Sequence, residues 1–274
     1  MQKDTFSNSI YRNIPNAVTI TGLIFGCLAI EAAMRGSTKS INHACVYIGF
    51  AVLADFFDGF LARLLKQTSE YGKILDTLVD IISFGVAPAI IMYKLFPYAY
   101  YMDPEWIPSF ISKSIAFRAS CLLIIFCIII FSALRLTKYT VKANNLRFFK
   151  GLPTPSNAIF ISSLAIIGIN DQFYDTFMCQ IVHNTYILLL LLILQSILMI
   201  LPIKMFSLKI TSLSLKDNFV IYGFLLIAAV LLLIFKLMAI PIIIYVYIFI
   251  SVLINIFYKK YFQEENSGKE KQNS

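Results

Sequence analysis

A chain of 274 residues with 59% hydrophobic and 14% charged side chains, and a mean hydropathy of +0.78, is too apolar to be a soluble domain of ordinary composition. The bilayer is its solvent, and a formal net charge of +8 then points to an anionic lipid surface and not to nucleic acid. Five cysteines, Cys27, Cys45, Cys121, Cys127 and Cys179, mostly lie in apolar runs without paired spacing, which argues against a disulfide framework or a zinc site.

The start Met1-Gln2-Lys3-Asp4 places several polar residues ahead of the first apolar run, unlike a cleaved signal peptide, so the first span is expected in the mature protein. Within residues 1–15, Phe6, Ile10 and Ile14 recur every four residues, with Lys3, Asp4, Asn8 and Arg12 available for the other side. That spacing predicts a short helix in the membrane interface. A helix needs roughly 20 apolar residues to cross the hydrocarbon core. Eight spans are predicted, over 16–34, 42–65, 73–96, 114–137, 157–170, 183–202, 218–237 and 239–258. The fifth is short, and only Leu237 and Met238 separate the last two, so seven spans or a hairpin are the alternatives.

Eight spans put both termini on one side. Seventeen of the 23 lysines and arginines fall on that side, and Arg35, Lys39, Lys94, Lys113, Arg118 and Lys236 fall on the other, so the positive-inside rule makes the termini cytoplasmic. Trp106 with Tyr98, Tyr100 and Tyr101 is expected in an outer loop at headgroup level. His43 and His183 lie near span ends and read as interfacial polar residues. Residues 203–258 hold the last two spans, and 259–274 form a polar cytoplasmic tail whose end is expected to be disordered.

Spans two and three carry four aspartates in otherwise apolar helices: Asp55 and Asp58, then Asp76 and Asp80. An ionised carboxylate near a span's centre costs roughly 2.5–3.5 kcal/mol on insertion scales, so partners are required. Residues three or four apart share a helix face, and the short turn at 66–71 makes the two helices antiparallel neighbours, so the pairs can meet. Hard oxygen ligands of this kind suit magnesium or manganese, and two such ions could be held. Buried ion pairing, or a pathway for a transported cation, is the competing explanation; Arg63 and Lys73 are too few to neutralise four acids. Gly59 and Ala62 suit either a ligand's close approach or helix packing; Gly72 suits the same or merely permits the turn. Arg63 is either a phosphate contact or salt-bridge partner, or an interfacial anchor.

The run Asp55-x2-Asp58-Gly59-x2-Ala62-Arg63-x8-Gly72-x3-Asp76-x3-Asp80 resembles the signature of the CDP-alcohol phosphatidyltransferases. Four further runs resemble the bacterial CDP-diacylglycerol–serine branch of that family. They are Ile14-Pro15-Asn16-Ala17-Val18-Thr19, residues 75–89, Ala133-Leu134-Arg135-Leu136, and Gly151-Leu152-Pro153-Thr154-Pro155. The likeness extends over about residues 11–160. It implies an all-α integral membrane enzyme with a six-span catalytic domain over 16–202 and two added C-terminal spans. It also implies a homodimer in the bacterial cytoplasmic membrane, with its active site facing the cytoplasm.

By resemblance, CDP-diacylglycerol is the donor, L-serine the acceptor and CMP the leaving product. Asp55, Asp58, Asp76 and Asp80 would be ligands of two divalent ions, with Asp80 also the catalytic base. Asn16, Thr19, Gly59, Ala62, Arg63 and Gly72 would meet the donor. A serine carboxylate calls for a cation, and Arg135 is the first choice, with Lys138 and Lys150 as alternatives; all three also read as plain positive-inside charges. The chain departs from the family at Thr137-Lys138-Tyr139-Thr140 and at Ser156-Asn157, both near the expected acceptor side. Competing acceptors within the family are glycerol phosphate, choline and inositol phosphate.

Overall fold

A computed structural model describes residues 2–65, 69–102, 115–142, 151–203, 205–206 and 219–257. These form ten α-helices and no strand: α1 Gln2–Arg35, α2 Thr38–Leu64, α3 Glu70–Asp80, α4 Ala87–Met102, α5 Ile115–Lys142, α6 Thr154–Ile169, α7 Phe177–His183, α8 Thr185–Ile200, α9 Phe219–Phe235 and α10 Ala239–Phe257. A backbone in hydrocarbon must satisfy its own hydrogen bonds, and continuous helix does so. Five stretches are long and apolar enough to cross a membrane, Pro15–Arg35, Thr38–Ala62, Glu70–Phe96, Cys121–Lys138 and Phe219–Ile256, and a bent α7–α8 pair makes a sixth if counted as one span. The chain is a multi-pass membrane protein. Large apolar side chains such as Leu226, Leu233 and Phe249 face outward, as lipid contact requires.

The stretch Phe219–Ile256 does not cross as one rod. A straight helix rises about 1.5 Å per residue, which would put Phe224 and Tyr247 some 35 Å apart. Their ring centroids are instead 5.7 Å apart. The chain reverses at Lys236–Met238, where Lys236 adopts φ 50°, so α9 and α10 form a hairpin.

Several local outcomes differ from the sequence expectations. Residues 2–15 do not make a separate short helix, because α1 runs unbroken through Pro15 to Arg35. Tyr98, Tyr100 and Tyr101 lie on α4 and not in a loop, while Trp106 and the tail 259–274 lie outside the described residues. The fifth predicted span is the 16-residue α6, and the sixth corresponds to α8, which an 87° bend at Asn184 sets off from the preceding α7. Asn184 caps α8 through its side chain, accepting from the Ile187 amide at 3.1 Å. The cysteines are free.

Helix α1 packs against α2, α3 and α4, and small residues make this possible. A Cβ on Gly22 would lie 3.4 Å from that of Ala54, and Gly26 faces Ser83 too closely for any side chain. Between α3 and α4, residues Ile81–Val86 form a wider π turn, with the Ala87 amide donating to the Ile82 carbonyl. Pro88, two residues past the turn, has no amide hydrogen to give an α-helical partner, which favours loosening the helix here. The core proper is apolar and lies between α1, α2, α4, α5, α6 and α8, around Ile48, Phe84, Ile91, Ile128 and Phe160.

Candidate metal and transfer site

The four aspartates come from two adjoining helices, α2 and α3. One carboxylate oxygen each from Asp55, Asp76 and Asp80 lies within 4.8 Å of the others. Asp76 and Asp80 share a face because they are four residues apart, and Asp55 reaches them from α2. Asp58, one turn after Asp55, is not part of that triangle. It is buried at 7% exposure, within hydrogen-bonding reach of the Thr19 hydroxyl and the Gly59 backbone. That hydroxyl also lies 3.0 Å from the Pro15 carbonyl.

The triangle has the chemistry of a hard-cation site. Its three groups offer anionic oxygen, the ligand that magnesium and manganese prefer, and among the described residues no sulfur or imidazole joins them. Asp80 is buried, and its Oδ1 has no hydrogen-bond partner among the described residues. An unpartnered carboxylate oxygen beside two further carboxylates is costly until a cation joins them. Asp55, Asp76 and Asp80 therefore fit a divalent ion.

Beside the triangle is a cleft. It is lined by Pro15, Asn16 and Thr19 of α1, by Asp58, Gly59 and Ala62 of α2, and by Ser69, Gly72, Lys73 and Asp76 at the start of α3. Thus Asn16, Thr19, Gly59, Ala62 and Gly72, widely separated in sequence, are brought to one place. Ser69 caps α3 by accepting from the Gly72 amide at 2.9 Å. A Cβ on Gly72 would stand 2.9 Å from Asn16 Oδ1 and 3.0 Å from Ser69 Oγ, so glycine is there for space. Arg63 lies on α2, and its side chain is outside the described residues.

Arg135 of α5, 7% exposed and not among the residues lining the cleft, is close enough to Asp80 to act on the carboxylate electrostatically. Its Nη1 donates to Thr154 Oγ1 at 3.4 Å. The Gly151–Pro155 run explains how Thr154 is held there. Gly151 has φ 80° and sits too close to the Met199 carbonyl for a side chain. Its amide donates to the Ile203 carbonyl at 2.8 Å, and the Leu152 amide donates to the Leu198 carbonyl at 3.0 Å. Pro153 and Pro155 then start α6, where a missing amide hydrogen costs nothing. Lys138 is exposed on α5, and Lys150 lies outside the described residues.

Sequence reasoning gave no site role to Ser69, Lys73 or Thr154. Ser69 carried a usable signal, a capping residue directly before a helix that begins with Glu70. His183 is buried, with Nε2 2.9 Å from the Gly168 carbonyl, and serves the packing of α6 against α7.

Comparison with known proteins agrees with this geometry. Residues 12–204 match the CDP-alcohol phosphatidyltransferase family. The archaetidylserine synthase of Methanothermobacter thermautotrophicus is 31% identical over 166 residues, which cover 60% of this chain and 62% of that protein. The CDP-diacylglycerol–serine O-phosphatidyltransferase of Bacillus subtilis is 34% identical over 142 residues, covering 52% and 69%. That of Methanocaldococcus jannaschii is 30% identical over 191 residues, covering 70% and 72%. No solved structure matches the chain.

Proposed function

The chain belongs to the CDP-alcohol phosphatidyltransferase family, and from that premise we propose that it transfers the phosphatidyl group of CDP-diacylglycerol to the hydroxyl of L-serine. Phosphatidylserine and CMP are the products. The observation that carries the reading is three convergent carboxylates, of which Asp76 lines a cleft and Asp80 feels a buried arginine. Relatives named for serine transfer support the choice of acceptor.

In this mechanism the serine oxygen attacks the lipid-bearing phosphorus, forming one P–O bond while the bond to the CMP oxygen breaks. CMP departs with the bonding electrons. Asp55, Asp58, Asp76 and Asp80 would hold magnesium or manganese, two ions on this reading, which would neutralise charge on the pyrophosphate, the main demand of phosphoryl transfer. Asn16, Thr19, Gly59, Ala62, Arg63 and Gly72 receive the donor, the glycines letting phosphate or sugar approach backbone. Asp80 Oδ1 takes the hydroxyl proton, which passes afterwards to solvent or to the departing phosphate. A carboxylate near cations is a weak base, so its position at the attacking oxygen matters more than its basicity. Arg135 holds the serine carboxylate in bidentate fashion, with Thr154 fixing the guanidinium. Lys138 and Lys150 draw anionic substrate and lipid toward the site.

The protein on this reading works as a homodimer in a bacterial cytoplasmic membrane, with its site opening to the cytoplasm. Residues 16–202 form the catalytic unit. The test is incubation of purified protein with CDP-diacylglycerol, divalent ion and labelled serine. Labelled phosphatidylserine with stoichiometric CMP is expected; absence of both with serine, alongside CMP release with another alcohol, would reassign the acceptor.

A further inference from the structure

Among the described residues, four side chains outside the site just described carry buried polar atoms without hydrogen-bond partners: both amide atoms of Asn157, both of Gln195, the hydroxyl of Ser162, and the hydroxyl of Tyr245, whose ring is only half-buried. Asn157 is 0% and Gln195 1% exposed. Buried polar atoms are almost always paired, so Asn157, Gln195 and Tyr245, which lie on three different helices, call for an explanation.

They occupy one region. The Tyr245 ring meets Phe160 edge to face with centroids 5.5 Å apart, and Phe160 is one turn along α6 from Asn157. The same tyrosine packs against the cluster of Leu152, Leu198 and Met199, and Gln195 is one turn along α8 from both Leu198 and Met199. The Leu152 to Leu198 hydrogen bond ties the start of α6 to the end of α8. At about 1.5 Å rise per residue, Asn157 and Gln195 both lie within about 8 Å of that tie along their helices. Thr154, the partner of Arg135, is one turn before Asn157 on the same face of α6. Arg135 also acts electrostatically on Tyr247, the next residue but one after Tyr245.

We propose that Asn157, Gln195 and Tyr245 form, with Arg135 and Thr154, an enclosed subsite for the charged head of an amino-acid acceptor, with α10 supplying one wall. This rests on the reading of serine as acceptor and adds the residues that select it. Amide oxygens and a phenol oxygen accept hydrogen bonds from an ammonium group, while Arg135 takes the carboxylate. The three residues are uncharged, so they add no cation beyond Arg135 to repel the ammonium. A zwitterion uses both ends of the chamber, and an acceptor lacking the amine leaves buried oxygens unsatisfied, the strongest basis for discrimination. Helix α10 lies beyond residues 12–204, so the C-terminal hairpin becomes part of the site and not an appendage.

The full-length protein is assayed in detergent with CDP-diacylglycerol, comparing serine with 3-hydroxypropanoate, which is serine without its amine. In Asn157→Ala and Gln195→Leu the KM for serine should rise about tenfold, and in Tyr245→Phe about threefold, as expected for lost hydrogen bonds. The KM for CDP-diacylglycerol should stay within about twofold of the parent value. The preference for serine over 3-hydroxypropanoate should narrow by the same factors. A serine KM unchanged in all three variants, or donor and acceptor KM rising together, would overturn the subsite. Tyr245→Phe removes a single oxygen and keeps the test available if the amide variants fold poorly. If the parent protein releases no CMP with serine, the acceptor assignment fails by itself; the variants are then compared on the acceptor that is used, where an unchanged KM rejects the subsite.

Discussion

The side of the aspartate group that faces α1 is lined by Gly59, Ala62 and Gly72 and extends to the exposed Lys73, whereas the side that faces α5 closes over Arg135 and the fully buried Thr154. Small residues on the first side let backbone approach a ligand. On the second, a guanidinium is set in place by a hydroxyl that is itself fixed by two backbone hydrogen bonds and two prolines. The contrast matches what the proposed substrates require. A large lipid nucleotide needs an open approach and is gripped by its phosphates, while a small amino acid can be enclosed and read by its charges. One flank thus tolerates size, and the other measures chemistry.

Substitutions can separate the flanks. The largest effect is expected at the boundary, where Asp80→Asn keeps shape but removes a proton acceptor and an anionic ligand. General-base roles are worth about 10²- to 10⁴-fold, so turnover should fall by at least about 10³-fold while donor binding, followed by tritiated CDP-diacylglycerol retention, survives in part. Turnover retained at more than a tenth would remove Asp80 as base. Next, Arg135→Lys keeps the charge and loses the planar fork. Charged hydrogen bonds contribute about 1.5–3 kcal/mol, so the serine KM should rise about 10- to 100-fold with the donor KM unchanged. A matching rise in the donor KM would mean that the two flanks are not distinct.

On the other flank, Gly72→Ala brings a methyl to 2.9 Å from Asn16 Oδ1. Overpacking costs about 1–3 kcal/mol, and a donor KM raised by about tenfold is expected, with serine KM unaffected. Unaltered donor kinetics would show that Asn16 moves aside freely. The smallest effect belongs to Thr154→Val, which is isosteric and deletes only the hydroxyl that receives Arg135. A neutral partner contributes about 0.5–1.5 kcal/mol, so serine KM should rise about threefold, and Arg135→Lys combined with Thr154→Val should be less than additive. Full additivity would indicate that Thr154 does not act through Arg135.

The helical architecture was legible because hydrocarbon leaves few alternatives, and long apolar runs report themselves by length alone. The aspartates were legible for a related reason: charge inside an apolar helix is costly, so Asp55, Asp58, Asp76 and Asp80 stood out, and three of them, Asp55, Asp76 and Asp80, converge, while Asp58 stands apart beside Thr19. Breaks within spans were harder to see. The short α7 bent against α8 at Asn184 was missed because the bend depends on a side chain capping α8, and hydropathy is blind to a capping bond. Residues 1–15 read as a segment separate from the first span, yet α1 continues through Pro15. Proline removes one hydrogen bond, and a chain already committed to a span can absorb that loss. Thr154 was visible within its motif, but its bond to Arg135 joins residues 19 apart and needed the fold to appear. Gln195 was present as a lone amide in an apolar helix, a signal of the same kind as the aspartates that passed unused.

The wide turn at Ile81–Val86 has a bearing on how this chain can change length. Hydrogen bonds that skip one residue more than those of an α-helix hold a spare residue within a span. Removing a residue from the turn would restore ordinary winding while leaving the carboxylates of α3 and the core side chains of α4 in their present phase. Removing one between Asp76 and Asp80 would instead rotate everything downstream by about 100°, the angle per residue of a helix with 3.6 residues per turn. Directly beside a carboxylate whose position is critical, the chain therefore carries slack, and a gain or loss of one residue there can be absorbed without turning either face.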